Sequence, residues 1–355
     1  MTAATSSLVG WDDAAAVAGR LAPPGPAVSR SEAEHLVASL HSAARRAVEP
    51  VLEITAMTPA DGRDLETSPL SEILVVDRPG WARAAARSMR DMTEDAFVLP
   101  PGAGAALGAQ VAASTEIGAT LAFLSTKILG QFDPYSAREP GRLLLVAPNV
   151  LHVERELGVR PDDFRLWVAL HEQTHALQFA AAPWLASHLR DRTTALLGAM
   201  STTSTLREVP PRVAALLRAV YRAVRGREGA TLVDGILTCE QQVELDAVTA
   251  VMSLLEGHAD VAMDTVGPRV VPTVRAIRRK FEKRRDTSGA ADTVLKRLLG
   301  VDAKIAQYRD GASFVRSVTR EVGTAGLNAV WTDTSTLPTA LEIADPASWV
   351  RRVHG

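Results

Sequence analysis

The chain has 355 residues, of which 46% are hydrophobic, so it can fill a sizeable core and is not an intrinsically disordered protein. Its 39 basic and 41 acidic residues give a net charge of -2, which argues against nucleic acid or an anionic membrane as the main partner. Cys239 is the single cysteine, so an intramolecular disulfide is excluded. We find neither a signal-peptide pattern nor an apolar run of about 18 residues, and therefore expect a cytoplasmic protein without membrane spans.

Residues with high helix propensity recur at helical spacing along most of the chain, while aromatic residues make up only 5%, so we expect a mostly helical fold. The predicted helices span residues 11–21, 31–48, 81–92, 105–129, 162–181, 185–200, 211–224, 239–266, 271–284, 291–299, 301–322 and 346–353. Two apolar runs that end in turn residues predict strands at 73–76 and 142–147. We expect residues 1–70 to form a helical region packed on a core domain of residues 71–355.

The most informative motif is H-E-x-x-H at residues 171–175, inside the predicted helix 162–181. His171 and His175 are four residues apart, so both imidazoles project from one helix face and can share a zinc ion. Glu172 lies beside that position and is not required as a ligand. Its carboxylate can accept a proton from a water molecule whose pKa the metal has lowered, which is the chemistry of zinc metalloproteases.

A catalytic zinc site needs a third protein ligand, and the best candidate is Glu256 in the long predicted helix 239–266. Asp260 follows it at i+4 and could accept a hydrogen bond from a zinc-binding histidine, which would fix the tautomer of that histidine. The alternatives for the third ligand are three residues of the same helix: Glu240, Glu244 and His258.

Two further expectations concern catalysis. A tyrosine, histidine or arginine commonly stabilises the oxyanion in such enzymes, and Tyr308 is our candidate among the three tyrosines of the chain. The strand that begins at Arg142 precedes the motif helix, so residues 142–149 are expected to act as the edge strand that holds an extended peptide. The alternative is a plain core strand.

The motif H-E-x-x-H with a downstream E-x-x-x-D resembles the gluzincin class of zinc metallopeptidases. A closer resemblance, from about residue 75 to the C-terminus, is to an actinobacterial family of zinc-dependent metalloproteases that some genomes label as associated with biosynthesis of a deazaflavin coenzyme. It rests on FLS at 123–125, LGQFD at 129–133, LVAPN at 145–149, ERELG at 154–158, DFRLW at 163–167, Lys304 and QYR at 307–309. The 80 residues between His175 and Glu256 exceed the gap in better-known gluzincins, and a helical insertion would explain them.

We therefore expect a predominantly α-helical α+β protein with a zincin-like metalloprotease core and a small sheet. Zinc is the expected cofactor, held by His171, His175 and Glu256, and a peptide or protein is the expected substrate. The alternative is a catalytically silent zinc-binding scaffold that interacts with other proteins. Glu172 favours the enzyme, because a structural zinc site has no use for it. The sequence leaves the oligomeric state open.

Overall fold

The computed structural model describes residues 9–93, 107–135, 140–201, 239–286 and 304–355. The helices in this part of the chain are α1 (Trp11–Leu21), α2 (Arg30–Arg46), α3 (Val48–Thr55), α4 (Arg78–Thr93), α5 (Leu107–Leu124), α6 (Ala147–Leu157), α7 (Pro161–Ala181), α8 (Trp184–Ser201), α9 (Cys239–Thr265), α10 (Gly267–Val270), α11 (Val274–Asp286), α12 (Lys304–Leu327), α13 (Ala340–Ala344) and α14 (Pro346–His354). Two 3₁₀ turns, Asn328–Trp331 and Thr334–Thr336, follow α12.

A small sheet of three strands lies among these helices: β1 (Glu72–Val76), β2 (Gly130–Asp133) and β3 (Arg142–Val146). The order is β1-β3-β2, with β3 parallel to β1 and antiparallel to β2. The central strand β3 is almost continuously apolar, as expected for a strand that is covered on both faces. In the described residues, β2 forms one edge of the sheet.

The two faces of the sheet belong to different parts of the core. Leu143 and Leu145 of β3 pack into a cluster that includes residues of α2, α6, α7, α9 and α12. Leu144 and Val146 point the other way, into a second cluster that contains residues of α1, α4 and α5. Side chains alternate between the faces of a strand, so this one short strand connects both halves of the core.

The protein is mostly helical with a small sheet, which confirms the predicted fold class. The strand predictions at 73–76 and 142–147 are confirmed within one residue, and α1 has the predicted bounds. The sequence missed α3, β2, α6 and the short helices α10 and α13. The predicted helices 211–224 and 291–299 lie outside the described residues. No helix in the described part of the chain is long and apolar enough to span a membrane.

Candidate metal centre

The helix that carries the H-E-x-x-H motif is fixed firmly in the core. It begins at Pro161, which suits the first helical turn because its missing N–H would have no partner there. Asp163 accepts hydrogen bonds from the backbone N–H and the hydroxyl of Thr273, just before α11. Arg165 forms a buried, two-pronged ion pair with Glu154 of α6, at 2.7 and 3.0 Å. These contacts hold α7 in place between α6 and α11.

Three candidate ligands come together at the interface of α7 and α9. Nε2 of His171 lies 3.1 Å from Nε2 of His175 and 3.4 Å from Oε2 of Glu256. Nε2 of His175 lies 3.9 Å from the same carboxylate oxygen. Each side chain offers one donor atom to the cluster, and all three are partly buried. The three residues that the sequence selected therefore lie side by side.

The spacing and chemistry of these atoms fit zinc. Ligand atoms bound at about 2.0–2.1 Å in tetrahedral geometry lie roughly 3.4 Å apart, and the three separations here bracket that value. Two imidazoles and one carboxylate form a donor set that leaves the fourth position of a tetrahedral site open, as catalytic zinc sites require.

The electrostatics show how strongly these groups interact. Burial lowers the pKa of His171, but the hydrogen bond to Glu256 and the negative charges of Glu172, Glu256 and Asp260 outweigh burial and raise it to about 9. At His175, burial and the neighbouring positive charge of His171 lower the pKa. One histidine therefore takes the proton that balances the carboxylates, and a divalent cation would supply this positive charge instead.

Glu172 lies beside the three candidate ligands, buried against β2. A Cβ atom at Gly130 would come within 2.7 Å of Cδ and Oε1 of Glu172, so only glycine leaves space for this carboxylate. Burial and the charge of Glu256 raise the pKa of Glu172 to about 7, although His171 and the backbone N–H of Phe132 act in the opposite direction. A carboxyl group with a pKa near neutrality can both accept and return a proton.

Comparison with known proteins identifies a family of metallopeptidases, which agrees with a metal site at these residues. The sequence model of the zincin-like metallopeptidase family matches residues 9–350 of the chain. The chain belongs to this family. It is also similar to a protein from Chloroflexus aurantiacus whose crystal structure is described as that of "a putative hydrolase with a novel fold". The two share 26% identity with a TM-score of 0.66, over 98% of this chain and 99% of that one. No curated protein matches the chain.

The prediction that β3 is an edge strand that holds the substrate is wrong. β3 pairs with β1 on one side and with β2 on the other, so its backbone groups are already used. Residues 147–149 are not part of any strand, because α6 begins at Ala147. β2 occupies the edge instead, and its Gly130 and Phe132 lie against Glu172.

Asp260 lies near the candidate ligands but does not form the predicted hydrogen bond. Its carboxylate is 3.4 Å from Nη1 of Arg278. The second ring nitrogen of His175 contacts Gln178 instead, and that of His171 lies 3.1 Å from the sulfur of Met263. The negative charge of Asp260 still raises the pKa of both histidines.

The alternative ligands do not join the cluster. Glu244 is paired with Arg192 at 3.0 Å, and Glu240, in the first turn of α9, is exposed. His258 is buried beside Trp331, and burial together with the charge of His175 lowers its pKa to about 4, so it stays neutral. The side chain of Tyr308 lies outside the described part of the structure, and its role stays a prediction.

Proposed function

We propose that this protein is a zinc-dependent peptidase in which His171, His175 and Glu256 hold the metal and Glu172 is the general base. The observation that carries the proposal is the convergence of the three donor atoms within 4.8 Å of one another, with a buried carboxylate next to them that is not needed as a ligand. Bound zinc would act as a Lewis acid that polarises the substrate carbonyl and lowers the pKa of water.

The residues of the chain divide the remaining work. Glu172 accepts a proton from the attacking water and returns it to the leaving amine. Gly130 and the backbone N–H of Phe132 hold that carboxylate against β2. Glu256 would balance the positive charge of a bound zinc ion, with Asp260 close enough to contribute.

The outer edge of β2 is our candidate for the strand that aligns a peptide. Successive residues of β2 point their backbone groups alternately towards β3 and away from it. Leu129, just before β2, points towards β3, because its carbonyl accepts a hydrogen bond from the N–H of Val146. Phe132 points away from β3, and its N–H bonds to Glu172. An extended substrate could therefore add to the sheet beside the general base. Tyr308 and the narrower resemblance to the deazaflavin-associated family remain predictions.

The decisive experiment compares the parent with Glu172→Gln in metal content and in cleavage of a broad peptide library. The amide is nearly isosteric with the carboxylate and was never a ligand, so the variant should keep about one zinc per chain. Its activity should fall by at least roughly 100-fold, because proton transfer is lost. His171→Ala is the matched control, which should lose both zinc and activity.

Two results would contradict the proposal. A parent protein that binds no stoichiometric zinc even after loading would eliminate the metal site. A fully loaded parent that cleaves no peptide, or a Glu172→Gln variant as active as the parent, would leave the scaffold interpretation in its place.

A further inference from the structure

Gln178 is a fully buried amide one turn beyond His175 on the same face of α7. Its Oε1 lies 2.9 Å from Nδ1 of His175, and its Nε2 lies 2.9 Å from the carbonyl oxygen of Leu255. Nε2 also lies 3.1 Å from Nδ1 of His258. One side chain therefore contacts the motif helix and two positions of α9.

The carbonyl of Leu255 determines which way this amide faces. A backbone carbonyl can only accept a hydrogen bond, so the NH₂ group of Gln178 must point towards it. The opposite orientation would place two acceptor oxygens 2.9 Å apart in a buried site. With the NH₂ group on Leu255, Oε1 must face His175, and Nδ1 of His175 must carry a hydrogen.

This assignment fixes the tautomer of His175. With its hydrogen on Nδ1, the neutral ring keeps the lone pair of Nε2 free, and Nε2 is the atom that faces His171 and Glu256. In addition, Leu255 directly precedes Glu256, so the same amide links the backbone next to one candidate ligand with the side chain of another.

We propose that Gln178 is the positioning residue that sets His175 in its metal-binding tautomer and ties α7 to the backbone beside Glu256. It takes the role that the sequence suggested for Asp260 at one of the two zinc-binding histidines. The inference rests on the proposed zinc site. His171 has no equivalent partner among the described residues, because its Nδ1 faces the sulfur of Met263, so the effect should be specific to His175.

The test measures zinc affinity by chelator competition in two variants. Gln178→Met preserves the volume but removes the acceptor, so zinc affinity should fall roughly 10–100-fold. Gln178→Glu keeps an acceptor for His175, and in its protonated form it also keeps a donor for the carbonyl of Leu255, so it should bind zinc more tightly than Gln178→Met. Gln173→Met is the matched control, because Gln173 is equally buried on α7 but donates to the carbonyl of Ala44. It should bind zinc like the parent.

Nitrogen NMR of the metal-free protein gives a second readout that packing alone would not move. The parent should show His175 protonated at Nδ1, and Gln178→Met should shift this ring towards a mixture of tautomers. Zinc affinity of Gln178→Met equal to the parent would overturn the inference, as would Gln178→Glu binding no better than Gln178→Met. If the parent itself bound no zinc, the proposed function would fail first, and the NMR comparison would still decide the role of Gln178.

Discussion

Two features of β2 hold the carboxylate of Glu172 in place. The missing side chain of Gly130 leaves room for the carboxylate, and the N–H of Phe132 donates to it. Both are backbone properties of an edge strand. The position of the proposed general base is therefore set by main-chain geometry, which is stiffer than a side-chain partner would be.

Gly130→Ala should separate catalysis from metal binding. The new Cβ would lie 2.6 Å from Cγ of Glu172, and the flexible carboxylate can move away without disturbing the backbone. We expect zinc affinity to stay at the parent level while kcat falls roughly 100-fold, because displacing a catalytic group by about 1 Å costs that much. Isothermal titration with zinc and peptide-cleavage kinetics measure the two quantities.

A double variant provides the control for this prediction. If Gly130→Ala acts through Glu172, it should cause no further loss of activity in the Glu172→Gln background. Additive losses in the double variant would show that Gly130 serves the substrate or the strand and not the base.

At the scale of elements, α9 and α12 cross so closely that no side chain fits between them. A Cβ on Gly257 would lie 2.2 Å from the backbone carbon of Gly311, and a Cβ on Gly311 would lie 2.0 Å from the carbonyl oxygen of Ser253. Gly257 directly follows Glu256, so this crossing fixes the helix segment that presents the third candidate ligand.

Gly257→Ala should therefore destabilise the protein, although alanine is the better helix former. The clash is with backbone and cannot be relieved by a rotamer change, so we expect a loss of about 3 kcal/mol together with weaker zinc binding. Gly108→Ala is the matched control, because no atom of the described residues lies within 4 Å of a Cβ at this helical glycine. Thermal unfolding should show it unchanged or slightly more stable. Equal effects of the two substitutions would argue against the close crossing.

The sequence predicted those elements whose information is local. The helix-forming composition of residues 162–181 and 239–266 predicted α7 and α9, and the H-E-x-x-H motif with its need for a third ligand led to Glu256. β2 was missed because it is only four residues long and begins with glycine. α6 was missed because Pro148 was interpreted as the end of a strand, whereas it lies in the first turn of a helix. The hydrogen bond from Gln178 to Leu255 joins residues 77 positions apart, and no local pattern encodes it.

The C-terminal helices allow a prediction on pH. Glu342, in the first turn of α13, receives hydrogen bonds from Thr339 and Arg352. Burial raises its pKa, but these bonds outweigh burial and hold the pKa below 4.5. The carboxylate therefore adds stability above that pH, and the contribution disappears as the pH falls through the folded-state pKa.

Glu342→Gln should lower the free energy of unfolding at pH 7 by about 1 kcal/mol or less, because Arg352 is 39% exposed and solvent screens the pair. Denaturant unfolding at several pH values checks this. The difference between parent and variant should shrink as the pH falls below 4.5, which is the ordinary value for this group. A difference that stays constant down to acid pH would contradict the ionic origin of the effect.

At the scale of the whole molecule, the N-terminal segment from Leu36 to Leu70 contributes to the same core as the helix of the candidate metal centre. Leu36 and Leu40 of α2 belong to the same buried cluster as Trp167 and Leu170 of α7. Gln173, inside the H-E-x-x-H motif, donates to the carbonyl of Ala44 at 2.9 Å. Stability should therefore be shared between α2 and the motif helix.

Leu40→Ala tests this coupling on α2, a helix that carries none of the candidate ligands. Leu40 is fully buried, so its truncation should cost about 2–5 kcal/mol, whereas Val37→Ala, on the same helix but 38% exposed, should cost much less. Excess zinc at about 1,000 times its Kd should stabilise the parent by roughly 4 kcal/mol.

If the chain unfolds as one cooperative unit, Leu40→Ala must lower the midpoint temperature of the thermal transition that zinc stabilises. The loss should be the same with and without zinc, since Leu40 is not one of the candidate ligands and the two effects should add. Differential scanning calorimetry distinguishes this from separate folding of residues 1–70. Separate folding would give two transitions, and the substitution would leave the zinc-dependent one at the temperature of the parent.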